Sequence, residues 1–176
     1  MLAPVLRAES PAWFPDGWRI LLAARDTDGA TGGLTILDTE TGALARIVEG
    51  LFLEGPLIAP DGATILYTAT LQPQAADNGV WLVGADGTGR RQLPFGGGYR
   101  WTPDDWALVR IPAPATGPTD ELWRYDPVDG TARPLIAAAQ VRFTVVQGDW
   151  ELSPDGTAIA YRSATDDGIW ALRSAL

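Results

Sequence analysis

A Pro-Asp pair stands four times just ahead of a run in which aliphatic or aromatic residues alternate with small or polar ones. The pairs are Pro15-Asp16, Pro60-Asp61, Pro103-Asp104 and Pro154-Asp155, separated by 45, 43 and 51 residues. Three of them continue into glycine (Gly17, Gly62, Gly156) and the third in order continues into Asp105. Each part of this motif has a mechanical reason. Proline fixes φ at the first turn position, aspartate closes the turn through its side chain, and glycine supplies a positive φ. The alternation that follows has a period of two, which is a strand signal, and helical periodicity is weak throughout. A turn-and-strand unit recurring at about 40–50 residues restricts the chain to an architecture of stacked repeats.

A second strand-like element follows in each unit: GGLTILDTETG from Gly32, NGVWLVGADGTG from Asn78, DELWRYDPVDG from Asp120 and DGIWALRSAL from Asp167. The first three run into an Asp-Gly or Thr-Gly turn suited to a tight hairpin, and then into a last strand, LARIVE (44–49), RRQL (90–93) and ARPLIA (132–137). One unit is therefore four short antiparallel strands, a to d, with the Pro-Asp-Gly turn between a and b. Such units arranged radially make a β-propeller. The expected fold is all-β, a single propeller domain of four four-stranded blades: blade 1 over 11–50, blade 2 over 51–94, blade 3 over 95–137 and blade 4 over 138–176. Blade 4 stops after its third strand. Residues 1–10, with the strand-like APVLRAE (3–9), are expected to supply the fourth. That strand closes either a four-bladed ring within one chain or, exchanged between identical copies, an eight-bladed ring of which one chain is half. A piece of a longer chain is the third reading.

PAWFPDGWRILL, APDGATILY, RWTPDDWALV and LSPDGTAIAY resemble the repeat of the TolB-like β-propellers, the WD40-like PD40 repeat. Its pattern is P-x-W-S-P-D-G-x-x-I-x-[FY], then D-G-x-x-x-[IL]-[YW] and a turn. The resemblance spans essentially the whole chain, and the matched residues are scaffold, so it implies a fold and little chemistry. It implies kinship with the periplasmic translocation protein TolB and with the propeller domains of prolyl-oligopeptidase-type peptidases. TolB and its close relatives carry an extra N-terminal domain and a signal peptide, which this sequence does not show, and their propellers usually have more blades than the four counted here.

Composition removes several function classes. There is no histidine and no cysteine, which excludes Ser-His-Asp and thiol chemistry, disulfides and most transition-metal sites. The net charge is −9, and the 13 basic residues, all arginine, are scattered rather than clustered. Nucleic acid is therefore not an expected partner. The all-arginine usage fits the codon bias of a GC-rich, bacterial genome. No apolar stretch is long enough to span a membrane or to act as a secretory segment. The chain as given reads as cytoplasmic, or as periplasmic or extracellular if an upstream signal precedes it.

The four turn aspartates resemble a carboxylate ring only out of context, because a turn repeats around a scaffold whereas a catalytic group does not. The loops between strands b and c offer more. Asp28, Asp77, Asp120 and Asp167 lie there, Asp26 and Asp166 add to them, and Asn78, Tyr99 and Arg100 complete the candidate partner-binding set. Oxygen-rich loops of this kind suit Ca²⁺, but no D-x-[DN]-x-[DN]-G run is present. The expectation is a solvated acidic rim without a cofactor, suited to a partner's basic residues. Gly96, Gly97 and Gly98 lack the lysine and helix start of a phosphate loop. Trp81, Trp123 and Trp170 share one position in strand c, and Trp13, Trp101 and Trp150 lie in or near strand a; all six are expected in the core. Trp18 and Trp106 follow the turn and are expected nearer the surface.

Two functions of different class follow. The first is a non-catalytic propeller scaffold that binds a protein or peptide through its loop face and central channel. The second is a carboxylate-based hydrolase or cation-binding propeller, which needs two carboxylates about 5–9 Å apart. The sialidase-type Asp box S-x-D-x-G is missed by one residue at Ser153-Pro154-Asp155-Gly156, and no G-x-S-x-G elbow exists. Every repeated residue has a structural explanation, which favours the scaffold.

Overall fold

The computed structural model describes residues 6–26, 29, 31–94, 97–105, 107–111, 120–136, 143 and 145–173. These form four antiparallel sheets, and among them no helix is long and apolar enough to cross a membrane. The chain divides into two compact units, Met1–Pro94 and Phe95–Leu176.

The first unit holds two four-stranded meanders. Blade 1 runs β1 (Leu6–Trp13), β2 (Arg19–Asp26), β3 (Gly32–Asp38) and β4 (Leu44–Glu49). Blade 2 runs β5 (Leu53–Ile58), β6 (Thr64–Ala69), β7 (Gly79–Gly84) and β8 (Arg91–Gln92), with a single 3₁₀ turn at Ala75–Asp77 in its b–c loop. The second unit holds blade 3, built from β9 (Tyr99–Trp101), β10 (Ala107–Ile111), β11 (Glu121–Tyr125) and β12 (Ala132–Ile136). It also holds the three strands of blade 4, β13 (Val145–Leu152), β14 (Ala158–Ser163) and β15 (Ile169–Arg173).

The a–b turns form as their residues dictate. The N–H of Gly17 donates to the Phe14 carbonyl at 3.1 Å, Gly62 to Ala59 at 2.8 Å, Asp105 to Thr102 at 3.1 Å and Gly156 to Ser153 at 2.8 Å. The last residue of each turn has positive φ: 83° at Gly17, 73° at Gly62, 64° at Asp105 and 72° at Gly156. The one non-glycine among them, Asp105, carries the left-handed conformation at a cost.

Each central strand sorts its side chains between two faces. In blade 1, Leu21 and Ala23 of β2 stand opposite Ile36 and Leu34 of β3 on one face, here called the front. In blade 2, Ile65 stands between Ile58 and Val83, and Tyr67 opposite Trp81, on the other face, the back. The front of blade 1 and the back of blade 2 form one apolar cluster, in which Leu21, Leu34, Ile65 and Tyr67 are fully buried. At about 1.5–3 kcal/mol for each large side chain removed from water, this contact is the main source of stability in the unit. The second unit repeats it. Ile159, Tyr161 and Trp150 on the back of blade 4 pack with Leu122 of blade 3, and the rings of Phe143 and Tyr161 meet edge-on at 4.9 Å.

Two expectations are corrected. Leu6–Glu9 do not stand apart as a closing strand for blade 4. They pair with β2 from Leu6 opposite Asp26 to Glu9 opposite Ala23, so blade 1 begins before residue 11; residues 1–5 lie outside the described residues. A bulge between Glu9 and Ala12 joins the two halves of β1, with Ser10 at φ 52°; β5 has the same bulge between Glu54 and Leu57, with Gly55 at φ 55°. Glu9-Ser10-Pro11 and Glu54-Gly55-Pro56 are thus one repeated bulge inside strand a. The tryptophans also divide differently from the expectation. Trp150 is buried, but Trp13 is 62 % and Trp170 52 % exposed, and Trp18 is exposed as expected; Trp106 lies outside the described residues.

Successive turns within a unit touch, and this makes the glycines unequal. A Cβ at Gly17 would meet nothing, whereas at Gly156 it would come within 2.9 Å of Cδ of Pro103 in the preceding turn. Gly17→Ala should cost about 1 kcal/mol for its left-handed backbone. Gly156→Ala should cost clearly more, because it adds a clash to the same strain. Denaturant unfolding of the two variants measures the difference, and equal losses would contradict the turn-on-turn contact.

Candidate functional site

The turn aspartates are occupied by the turns they make. Oδ1 of Asp16 accepts from the N–H groups of Trp18 and Arg19, both at 3.1 Å, and Oδ2 from Nε of Arg19 at 2.6 Å. Asp61 accepts from the N–H of Ala63 at 2.7 Å. Asp104 accepts from the Thr102 hydroxyl at 2.5 Å and pairs with the buried Arg124. Asp155 accepts from the Ser153 hydroxyl at 2.6 Å and from the N–H and hydroxyl of Thr157 at 3.1 and 2.9 Å. These bonds favour the ionised form. The Ser153 hydroxyl first, then Thr157, pulls the Asp155 carboxyl from 3.8 down to about 2. The Thr102 hydroxyl and the Arg124 charge lower Asp104 in the same way, against the desolvation that raises it.

A second set of acidic residues does the same work in the c–d hairpins. Asp38 accepts from the N–H groups of Glu40 and Thr41 at 3.0 and 2.8 Å, Asp86 from Thr88 at 2.9 Å, and Asp126 from Val128 at 2.7 Å. The sequence signal for these caps was available in the Asp that opens each hairpin turn: DTETG, DGTG and DPVDG.

The candidate partner-binding residues separate into three groups. Several are structural. Asp120 is 7 % exposed, and its carboxylate accepts from the N–H of Val145 at 2.9 Å, which ties the start of β11 to the start of β13. Tyr99 is buried. Asn78 closes its own loop, accepting from the N–H of Gln72 at 2.9 Å and donating to the Ala75 carbonyl at 3.2 Å. Asp77 sits half-buried in the 3₁₀ turn, and its carbonyl accepts from the Trp81 indole at 3.0 Å. Others are ion-paired. Asp26 pairs with Arg46 at 2.8 Å. Arg100 pairs with Glu151 at 2.9 Å, lies over the Trp150 ring at 5.0 Å and donates to the Trp150 carbonyl at 2.8 Å. Asp28 lies outside the described residues.

Asp166 and Asp167 form the third group, both exposed at the tip of the β14–β15 loop. Asp166 accepts from the N–H of Gly168 and from the Trp170 indole, each at 3.1 Å, and the Gly168 bond followed by the indole holds its carboxyl below the usual range. Asp167 pairs with Arg162 at 2.7 Å, and Asp149 with the same guanidinium at 3.4 Å. The structure thus gathers three carboxylates, one arginine and the half-exposed Trp170 at one end of blade 4. Among the described residues, no group of three or more acidic side chains is arranged to hold a metal ion.

The chain matches no protein-family model and no curated protein. Solved structures give the fold. TolB from Acinetobacter baumannii superposes with a TM-score of 0.65 at 21% identity, over 96% of this chain and 44% of that one. The fold is a TolB-like β-propeller. Oligogalacturonate lyase in complex with manganese superposes with a TM-score of 0.80 at 15% identity, over 98% of this chain and 52% of the lyase. The β-propeller domain of the Trilobed protease from Pyrococcus furiosus, which has an open velcro topology, gives 0.65 at 14% identity, over 96% and 55%. The chain therefore spans about half the length of each of these three solved chains.

The capped aspartates set an acid limit to stability. A carboxyl lowered by folding stabilises the native state above its unfolded pKa and loses that contribution as pH falls through the folded value. For Asp155 the window runs from about 3.8 down to about 2. The melting temperature should hold steady down to about pH 5, then fall steeply, and Asp155→Asn should lower the plateau and flatten the fall. A variant that melts like the parent at pH 7 and at pH 3 would refute the capping role.

Proposed function

We propose that this chain is a non-catalytic propeller scaffold that binds a basic segment of a peptide or protein at the β14–β15 loop. The observation that carries the reading is the pairing of two exposed carboxylates, Asp166 and Asp167, with the exposed face of Trp170. A guanidinium or ammonium group meets there an opposite charge and an aromatic face together, the two features that bind it best. A loop held by a rigid sheet is also where binding residues concentrate. The carboxylates of the repeated turns are engaged in holding backbone, so the acidic composition leaves few groups for acid–base chemistry.

The superposition on oligogalacturonate lyase in complex with manganese keeps a second reading in view, a carboxylate-based enzyme or cation-binding propeller. Both readings are met by one experiment. Fluorescence anisotropy of the full chain against a panel of Arg- and Lys-containing peptides should find binders whose affinity weakens with salt. Asp166→Asn and Asp167→Asn should each weaken them about two- to fivefold, the scale of an exposed charge pair. Turnover of oligogalacturonides or another glycan in the presence of Mn²⁺ or Ca²⁺, with no peptide bound, would replace the scaffold reading with the enzymatic one.

A further inference from the structure

The bulge of strand a repeats in chemistry as well as in shape. The residue that opens it is a glutamate in both blades of the first unit, Glu9 in β1 and Glu54 in β5. Each stands seven positions before its turn aspartate, Asp16 or Asp61. Glu9 lies opposite Ala23 and therefore points to the front of blade 1, the side on which blade 2 packs. β1 and β5 lie against each other, and both glutamates line one cavity of about 80 Å³. That cavity is made entirely by residues of the first unit, at the end of the buried cluster that blades 1 and 2 share.

The cavity is apolar on one side and charged on the other. Ala23 and Leu53, which line it, belong to the buried cluster. Gly33 and Gly50 add bare backbone to its wall. At Gly33 a Cβ would come within 1.9 Å of the Val48 carbonyl oxygen, so no side chain fits there. Phe52 closes another side, and the Arg25 guanidinium lies over its ring at 4.5 Å. Glu54 accepts from the Thr70 hydroxyl at 2.9 Å, which steadies its carboxylate. Glu9 is exposed and accepts from no group among the described residues. Two carboxylates and one guanidinium leave the cavity with a single net negative charge.

We propose that this cavity binds a primary ammonium group carried on a short unbranched alkyl chain, as at the end of a lysine side chain or of a free amine. One net negative charge matches one ammonium, and the Arg25 charge opposes a divalent ion. An ammonium has three donors, enough to reach both carboxylates at once, and such charge-assisted bonds are the strong ones. The volume holds two or three groups of water size, at about 30 Å³ each. That is room for the ammonium and one or two methylenes laid on Ala23 and Leu53. The site belongs to the first unit and stands apart from the peptide reading of the β14–β15 loop.

Nuclear magnetic resonance titration of the full chain with ethylammonium tests it. A ligand of three non-hydrogen atoms reaches a dissociation constant of about 0.5 mM at best, so millimolar binding is expected, with shifts centred on the amides of Gly33, Gly50 and Phe52. Glu9→Gln and Glu54→Gln should each weaken it about three- to fivefold, and the dispersion of the same spectra shows that each variant is folded. Asp167→Asn should leave it unchanged, which separates this site from the β14–β15 loop. Nα-acetyl-lysinamide, with the same ammonium and methylenes, should bind at least as well, and glycinamide more weakly. Tetramethylammonium carries the charge without an N–H; equal shifts from it would mean diffuse attraction and overturn the proposal. So would shifts that both glutamine variants leave unchanged, or no shift in the first unit at all.

Discussion

A four-stranded sheet with apolar side chains on both faces cannot bury them by itself, and the stability of this protein follows from that constraint. Each blade must lie between two others, or leave one face open. The contact that satisfies it is made twice here, once in each unit, between the front of one blade and the back of the next. Strand length, turn chemistry and the spacing of the repeat all serve this packing. In stacked repeats such nearest-neighbour contacts carry most of the stability.

The turns set the geometry at one end of each sheet. A left-handed residue at 17, 62, 105 and 156 lets strand b return at once beside strand a, and the aspartate before it caps the amides that the reversal leaves without partners. The cost of this economy is that much of the acidic composition is committed to backbone. The β14–β15 loop follows the same rule in part, since Asp166 caps the N–H of Gly168 and Asp167 pairs with Arg162.

Much of this is legible in the residues alone. The four Pro-Asp pairs and the alternation after them locate strands a and b, and the hairpin turns locate c and d. The beginning of strand a was not legible, because Ser10-Pro11 looks like a break and the corresponding Gly55-Pro56 must be seen paired to be read as a bulge. Tertiary context decides the fate of the loop aspartates: Asp120 and Asp167 occupy the same repeat position, yet one is buried against the N–H of Val145 and the other is exposed on Arg162. Trp81 and Trp170 likewise share a position, and differ because β7 is flanked by β8 whereas β15 pairs, among the described residues, with β14 alone. Periodicity reports which face a side chain takes, and the neighbouring strand decides whether that face is covered.

Face-to-face packing of consecutive blades is the central claim, and a double-mutant cycle across the first such contact tests it most directly. Leu21→Ala on the front of blade 1 should cost about 2–5 kcal/mol, and Ile65→Val on the back of blade 2 about 0.5–1.5 kcal/mol. Because both side chains belong to one buried cluster, denaturant unfolding of the parent, the single variants and the double variant should give a coupling of about 0.5 kcal/mol or more. Costs that add to within about 0.3 kcal/mol would show that the two faces do not depend on each other, and would contradict the account.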